Sequence, residues 1–347
     1  MTRWFTSNLK LVAEKALALE RTRLDARYPM VGGGESTQLP PWYAIVVRLD
    51  GVAFRTFTKS LTKPFDTRFT QTMQETTEDL VDKFGACLGF SISDEILLVI
   101  PPSSCPEAAP GELYADMQAL VAPSQAGQES RLNEETRRCF DEMFGNFSGI
   151  TEDKRRRKLV NPHIYNGRTS KITSITASYA TARFMRHYDR LVGVQGTGRH
   201  ADACFDARCF AITDPREVIT LILWRQKFDG YRNAINSLGT YHLGHKRIQN
   251  YNREQVLAAL ISQKQMQPHD PAQLDQRCLF GVFVKKQKRL MEALNPKTKE
   301  TVQVERSFVE SRCFDWVDPG DDAQCCHFIF QKFWPADAQD SIHRMAA

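Results

Sequence analysis

At 347 residues, with 42% hydrophobic and 25% charged side chains, the chain has the balance of a soluble globular protein of one large domain or two ordinary ones. No apolar run approaches the roughly 20 residues that a bilayer-spanning helix needs, so an integral helical membrane protein is excluded. A formal net charge of +5 permits a polyanionic partner without demanding one, and nine scattered cysteines, an odd number, point to a reducing compartment rather than a disulfide framework. The cytoplasm is the expected location, with mitochondria as the alternative.

Near the start, Leu9, Val12, Ala13, Ala16, Leu17 and Leu24 fit one face of a helix. Glu14 and Glu20 interrupt it, so it lacks the long apolar core of a secretory signal. Gly32, Gly33, Gly34, Pro40 and Pro41 then mark a loop, and Tyr43 to Leu49 reads as a strand. Asp66 is a good N-cap for a helix through residue 84, along which Phe69, Met73, Leu80 and Phe84 recur at helical spacing. Cys87 to Ser91 and Ile96 to Ile100 read as two strands joined by a Ser93, Asp94, Glu95 turn.

Residues 101 to 166 change character: prolines and small residues, an acidic stretch, then the basic run Lys154 to Lys158. This reads as an insertion between core elements. Ser170 to about His187 is expected as a helix and Phe205 to Ile212 as a strand, which completes a β-α-β-β-α-β order. That is the ferredoxin-like α+β arrangement of polymerase and cyclase palm domains. Asp214 and Pro215 open a further long helix, on which Arg225, Asp229, Arg232, Asn233 and Asn236 form a polar stripe. Such a stripe suits phosphate and ribose contacts or simply faces solvent, and the pattern alone does not choose.

Beyond Asn250, Tyr251 to Gln263 is expected to be helical and Leu279 to Lys285 a strand, with a short sheet from residue 290 onward packed through Phe328, Phe330 and Trp334. Residues 1–42 thus form an N-terminal helix and loop. Residues 43–250 form a palm-like catalytic domain carrying the insertion, and 251–347 a C-terminal extension of helices and short strands. Cys313 with Cys325, Cys326 and His327 makes a poor zinc site, because adjacent cysteines lack the spacing structural zinc favours.

The chemistry centres on two acidic turns, Asp50 with Gly51 and Asp94 with Glu95. If their strands are neighbours, the carboxylates converge at one sheet edge, and crowded carboxylates raise one another's pKa unless a cation sits among them. Mg²⁺ is held in such places by one or two carboxylates, a carbonyl and substrate phosphates, and Gly51 would turn the backbone to present that carbonyl. On spacing alone, ordinary loop-capping aspartates are the stronger reading.

The segments VVRLDGVAFRTFTKSLTKPFDTRFTQTMQETT (46–77), SDEILL (93–98), SKITSITAS (170–178), FDARCF (205–210), WRQ (224–226) and RNAI (232–235), in this order and spacing, resemble the tRNA-histidine guanylyltransferase superfamily. The likeness is closer to its guanylyltransferase-like branch of 3′-to-5′ RNA polymerases. It implies that Asp50, the Gly51 carbonyl and Asp94 hold two catalytic Mg²⁺ ions, with Glu95 an adjoining acid needed for activity. It further implies that Lys63 in KPFD contacts the activated 5′ end, and that Ser170 and Lys171 contact the nucleotide triphosphate. Asp66, Ser93, Arg225, Arg232, Asn233 and Asn236 count with the nucleotide-binding positions, and Lys154, Arg155, Lys246 and Arg247 with tRNA binding. The histidine enzymes carry HINNLYN where this chain reads Gly230, Tyr231, Arg232, Asn233, Ala234, Ile235, Asn236. The implied activity is template-directed addition of nucleotides to the 5′ end of tRNA, with GTP and other NTPs as substrates, ATP for 5′ activation and a homotetrameric assembly. Non-templated guanylylation of histidine tRNA and a cyclase-like signalling reaction are the alternatives.

Overall fold

A computed structural model describes residues 38–41, 43–103, 162–193, 203–212, 216–295, 297, 299–316 and 328–335. The expected N-terminal helix, most of the 101–166 insertion, the Asp214–Pro215 helix start, and Cys325, Cys326 and His327 of the weak zinc grouping lie outside these residues.

Strand β1 (Ala44–Gly51) is followed by the short helix α1 (Phe54–Phe57) and the long helix α2 (Thr67–Phe84). Then come strands β2 (Leu88–Ile92) and β3 (Glu95–Ile100), helix α3 (Thr169–Val192) and strand β4 (Phe205–Ile212). Every strand pairing is antiparallel, and the order β4-β1-β3-β2 is that of a ferredoxin-like core. Helices α2 and α3 cover one face because their apolar stripes match the odd-numbered residues of β1: Leu80, Val81, Ile172 and Phe184 share a core with Ile45, Val47 and Leu49.

The opposite face, which a two-layer fold leaves bare, is also covered. Helix α4 (Arg216–Leu223), π-helical turns at Trp224–Gly230 and helix α5 (Tyr231–Leu243) run on without a break in the chain. Val218 and Ile222 of α4, with Trp316, Phe328 and Trp334 from the C-terminal region, pack against Val46, Leu97 and Val99. Short α6 (His245–Ile248), then α7 (Arg253–Lys264) and α8 (Arg277–Phe280), form a satellite core with α5 through Leu238, Val256 and Leu279.

Two expectations change. The boundary at residue 250 divides a continuous sheet, because β5 (Val282–Leu294) pairs with β2 and β6 (Thr301–Arg312) pairs with β5. The short sheet expected after residue 290 is instead a long two-stranded ribbon that begins before it. Lys285 explains part of the misreading: this lysine is fully buried, its ammonium donating to the carbonyls of Cys87, Phe328 and Ile329 at 2.9, 2.7 and 3.1 Å. A charged residue taken as marking a strand end therefore sits mid-strand, satisfied by carbonyls that only the fold brings together.

Candidate active site

Asp50 and Gly51 are not a turn. They are the last pairs of β1, Asp50 facing Glu95 on β3 and Asp206 on β4, so three acids stand abreast on one face of three neighbouring strands. Gly51 is required for packing rather than for a bend: a Cβ there would lie 2.4 Å from the Phe54 ring. That ring belongs to an aromatic cluster with Phe57, Phe69, Phe184 and Phe205 which anchors the acidic edge from below. Glu95 likewise opens β3, leaving Ser93 and Asp94 as the tight connection. Ser93 adopts the left-handed conformation (φ 54°), uncommon for a residue with a side chain, and its hydroxyl donates to the Asp94 carboxylate at 3.1 Å. The Gly51 amide donates to the Asp94 carbonyl at 3.0 Å, tying the two acidic segments together.

Like charges opposed across strands destabilise a sheet, and two arginines offset this. Arg48, two residues before Asp50 on the same face, donates to Glu95 at 2.7 Å and to Asp50 at 3.4 Å. Arg225 descends from the π-helical turns and meets the two Glu95 oxygens at 2.8 and 3.0 Å, and Asp229 at 3.3 Å. Buried at 4% exposure, Arg225 is thus not part of a solvent-facing stripe. Sequence reasoning passes over Arg48, although a lone arginine within the apolar run of a central strand is the available signal. It also misses the alignment of Asp206 with Asp50, which only strand register reveals.

Glu95 is committed to these guanidiniums, and burial still pushes its carboxyl above the ordinary range against the pull of Arg225 and Arg48. Burial pushes the Asp94 carboxyl up as well, and the charges of Asp50 and Asp229 add to the effect. Crowding and desolvation of this kind are relieved by a divalent cation. Among the described residues no group of three or more His, Cys, Asp or Glu side chains is placed to cage a metal. Asp50 and Asp94 fit a Mg²⁺ ion that takes two carboxylates and completes its shell with carbonyl, water and phosphate oxygens.

Beside Asp94 opens a cavity of about 350 Å³ whose lining includes Lys63, Asp66, Ser93, Gly230 and Asn233. Lys63 is exposed and donates to the Thr58 carbonyl at 2.8 Å. Asp66 is engaged as the N-cap of α2, accepting from the Thr62 and Arg68 amides at 3.1 and 3.0 Å and from the Arg68 guanidinium at 2.6 Å. Arg68 holds its carboxyl down, to about 2 from 3.8. Because the folded value is the lower one, the unfolded chain binds more protons between these values. The contribution is therefore present above about 4 and is lost as pH falls through about 2. Asp66→Asn is expected to lose about 2 kcal/mol at neutral pH. Urea melts at pH 7 and near pH 2 should show that gap closing on acidification, and a gap of constant size would contradict the pairing.

Asn233 reaches the cavity from α5, and its amide donates to Asp229 at 3.1 Å, while Arg232 meets Asp229 at 3.3 Å. Asn236 is exposed on the same helix outside the cavity lining, and Lys246 and Arg247 are exposed on α6. Lys154 and Arg155 lie outside the described residues. Ser170 and Lys171 are exposed at the start of α3 on the face of the sheet opposite the Asp50 and Glu95 side chains. Thr181 accepts from the amide of Phe205, the partner of Gly51. Lys171 therefore sits about 15 Å further along the helix axis, at 1.5 Å per residue. One chain does not bring Ser170 and Lys171 to its own acidic edge.

The profile of the family described as "Thg1: tRNAHis guanylyltransferase" matches residues 33–213, just over half of the chain and the whole β1–β4 core. The chain belongs to the tRNAHis guanylyltransferase family. Enzymes of this family are nucleotidyltransferases that add nucleotides to tRNA. An uncharacterized protein of Acanthamoeba polyphaga mimivirus is 29% identical over 293 residues, covering 81% of this chain and 80% of that protein. Among solved structures, a bacterial tRNAHis guanylyltransferase (Thg1)-like protein in complex with ATP superposes with a TM-score of 0.50 at 21% identity, covering 79% of this chain and 87% of that one. The tRNAHis guanylyltransferase of Saccharomyces cerevisiae gives 0.51 at 16% identity, covering 72% and 89%. Both likenesses are of fold. The acidic edge and the cavity wall on α2 fall within the family match, whereas Arg225, Asp229 and Asn233 lie beyond it.

Proposed function

We propose that this guanylyltransferase-family enzyme extends the 5′ end of tRNA in the 3′-to-5′ direction, each nucleotide being chosen by pairing with the opposite strand of the acceptor stem. The observation that carries this reading is the environment of Gly230. A Cβ at this position would lie 2.3 Å from the Ile92 side chain and 2.8 Å from the Arg225 carbonyl. The histidine that the resembled guanylyltransferases carry here has no room, so nucleotide choice falls to the opposing base.

Asp50 and Asp94 would hold the divalent ions, with the Gly51 carbonyl as a further ligand. Two Mg²⁺ ions, when bound, supply Lewis-acid activation of the attacking 3′-hydroxyl and charge neutralisation at the triphosphate. Arg48 and Arg225 keep Glu95 fixed beside that site. Lys63 faces the activated 5′ end, made with ATP or carried as a triphosphate, while Asn233 and Arg232, both held by Asp229, meet the incoming nucleotide. Ser170 and Lys171 would serve the triphosphate from a neighbouring copy of the homotetramer.

The test uses four tRNA substrates that lack the first 5′ nucleotide, carry a 5′ triphosphate and differ only in the opposing base. The expected product carries the complement in each case, C opposite G as readily as G opposite C, and extension stops when the stem is full. Incorporation of G whatever the opposing base would return the enzyme to the non-templated class. Label recovered only in a small molecule would make it cyclase-like.

A further inference from the structure

The segment WRQ (224–226) has its arginine in the site described above and its glutamine outside it. Gln226 lies beyond the family match, is fully buried and does not line the cavity. Its side-chain amide nevertheless joins three separated parts of the chain. The Nε2 group donates to the carbonyls of Phe280 at 2.6 Å and Phe314 at 2.9 Å, while Oε1 accepts from the Trp316 amide at 2.9 Å. Each partner is itself fixed on the sheet. Phe280 ends α8, and the next residue, Gly281, lies so close to β2 that a Cβ there would be 2.5 Å from the Ser91 carbonyl. Ser91 and Ile92 lead directly into the Ser93–Asp94 connection. Phe314 and Trp316, just beyond β6, set their rings against Phe283 of β5 at centroid distances of 4.4 and 5.7 Å.

The turns that Gln226 anchors are the irregular part of the long helix. From Trp224 to Gly230 they are π-helical, and the Tyr231 amide donates to the Gln226 carbonyl, five residues back. Such turns are rare and recur at functional sites. Here the extra residue rotates α5 relative to α4. Val218 and Ile222 of α4 stay on the sheet, Arg225 reaches Glu95, and Asn233 reaches the cavity. The neighbours of Gln226 are committed elsewhere, Arg225 to Glu95 and Asp229, and Lys227 to Asp315.

We infer that Gln226 is a positioning residue for nucleotide addition, holding the π-helical turns in the register that sets Arg225 against Glu95 and Asn233 at the cavity beside Asp94. A slip of one residue in these turns would rotate α5 by about 100° against α4. A shift of about 1 Å at a reacting group is already enough to cost about a hundredfold in rate. The inference rests on the acidic edge being the place where nucleotides are added, and it is independent of whether the opposing base selects them.

The experiment measures single-turnover addition and RNA affinity of the full-length protein, with a tRNA that lacks its first 5′ nucleotide and carries a 5′ triphosphate. Gln226→Met keeps the volume and loses all three hydrogen bonds, whereas Gln226→Glu keeps the shape and sets a carboxylate against two carbonyl oxygens. Lys285→Met is the comparison, since it removes three buried carbonyl contacts away from the site. Urea melts give the folded fraction by which each rate is normalised. Gln226→Met is expected to lose about a hundredfold in rate, with RNA affinity within about twofold of wild type. Lys285→Met should lose stability and keep its rate. The rate of Gln226→Glu relative to wild type should climb as pH falls from about 9 to about 6, because a buried carboxyl titrates high and, once protonated, again donates to one carbonyl. An equal loss in Lys285→Met would make the effect one of stability and overturn the inference, as would a Gln226→Glu ratio that ignores pH. Asp94→Ala in the same assay reports on the site itself, so loss in that variant beside a normal Gln226→Met sinks the inference alone. Addition of G whatever the opposing base would instead refute template-directed choice and leave Gln226 in its role.

Discussion

Replacing Asp94 by alanine is expected to cut nucleotide addition by a thousandfold or more while leaving the protein folded. Asp94 borders the cavity and its carboxyl is raised by burial and by the charges of Asp50 and Asp229, so its removal relieves repulsion in the empty protein. On the proposed mechanism the variant would lose a ligand to an ion at the reacting phosphate, worth several kcal/mol of barrier, and each 1.36 kcal/mol is about tenfold in rate. Asp50→Ala should behave alike, because both acids would serve the same ions. Single-turnover addition at ordinary Mg²⁺ checks this, alongside thermal unfolding without metal. Near-normal turnover by both variants would end the assignment.

The second large effect is on stability. Arg225→Leu removes the guanidinium that meets both Glu95 oxygens and Asp229 and lies 4.2 Å from the Trp224 ring centre. Glu95 is itself only 18% exposed at its side chain, so breaking this pair leaves a desolvated carboxylate leaning on Arg48 alone. The expected cost is about 3 kcal/mol, since removing one partner of a buried pair strands the other charge. For a chain of 347 residues that corresponds to roughly 4 °C in thermal midpoint. Arg225→Leu/Glu95→Gln should recover much of it, because the stranded charge is then gone. If Arg225→Leu melts within a degree of wild type, the arginine is not what neutralises the acidic row.

Much of the catalytic core is legible in the order of residues alone. The stretch from Ala44 to Leu49 is apolar apart from Arg48, and Asp66 followed by apolar residues at helical spacing announces a capped helix. Both signals are local, set by backbone chemistry within one turn or one strand. The same holds for α3, whose observed span of Thr169–Val192 extends the expected one mainly at its C-terminal end, where helices fray and composition is permissive. The long ribbon is not legible in this way. Lys285 to Arg289 is too charged to read as strand, and its stability depends on a partner strand and on three carbonyls supplied from elsewhere.

The site divides along the same line. Sequence by itself supplies Asp50, Asp94 and Glu95 at the ends of apolar runs, and its resemblance to the family implies that they share one chemistry and aligns Gly230 with a histidine, because these are matters of residue identity and order. Only the tertiary structure decided that Asp50, Glu95 and Asp206 form a single row, that Arg48 and Arg225 neutralise it, and that Lys171 stands on the opposite face. Which charges face one another depends on strand register and on the extra width of the π-helical turns that bring Arg225 inward. Shifting a strand by one residue sends every side chain to the other face, so a row of acids across three strands exists only once register is set.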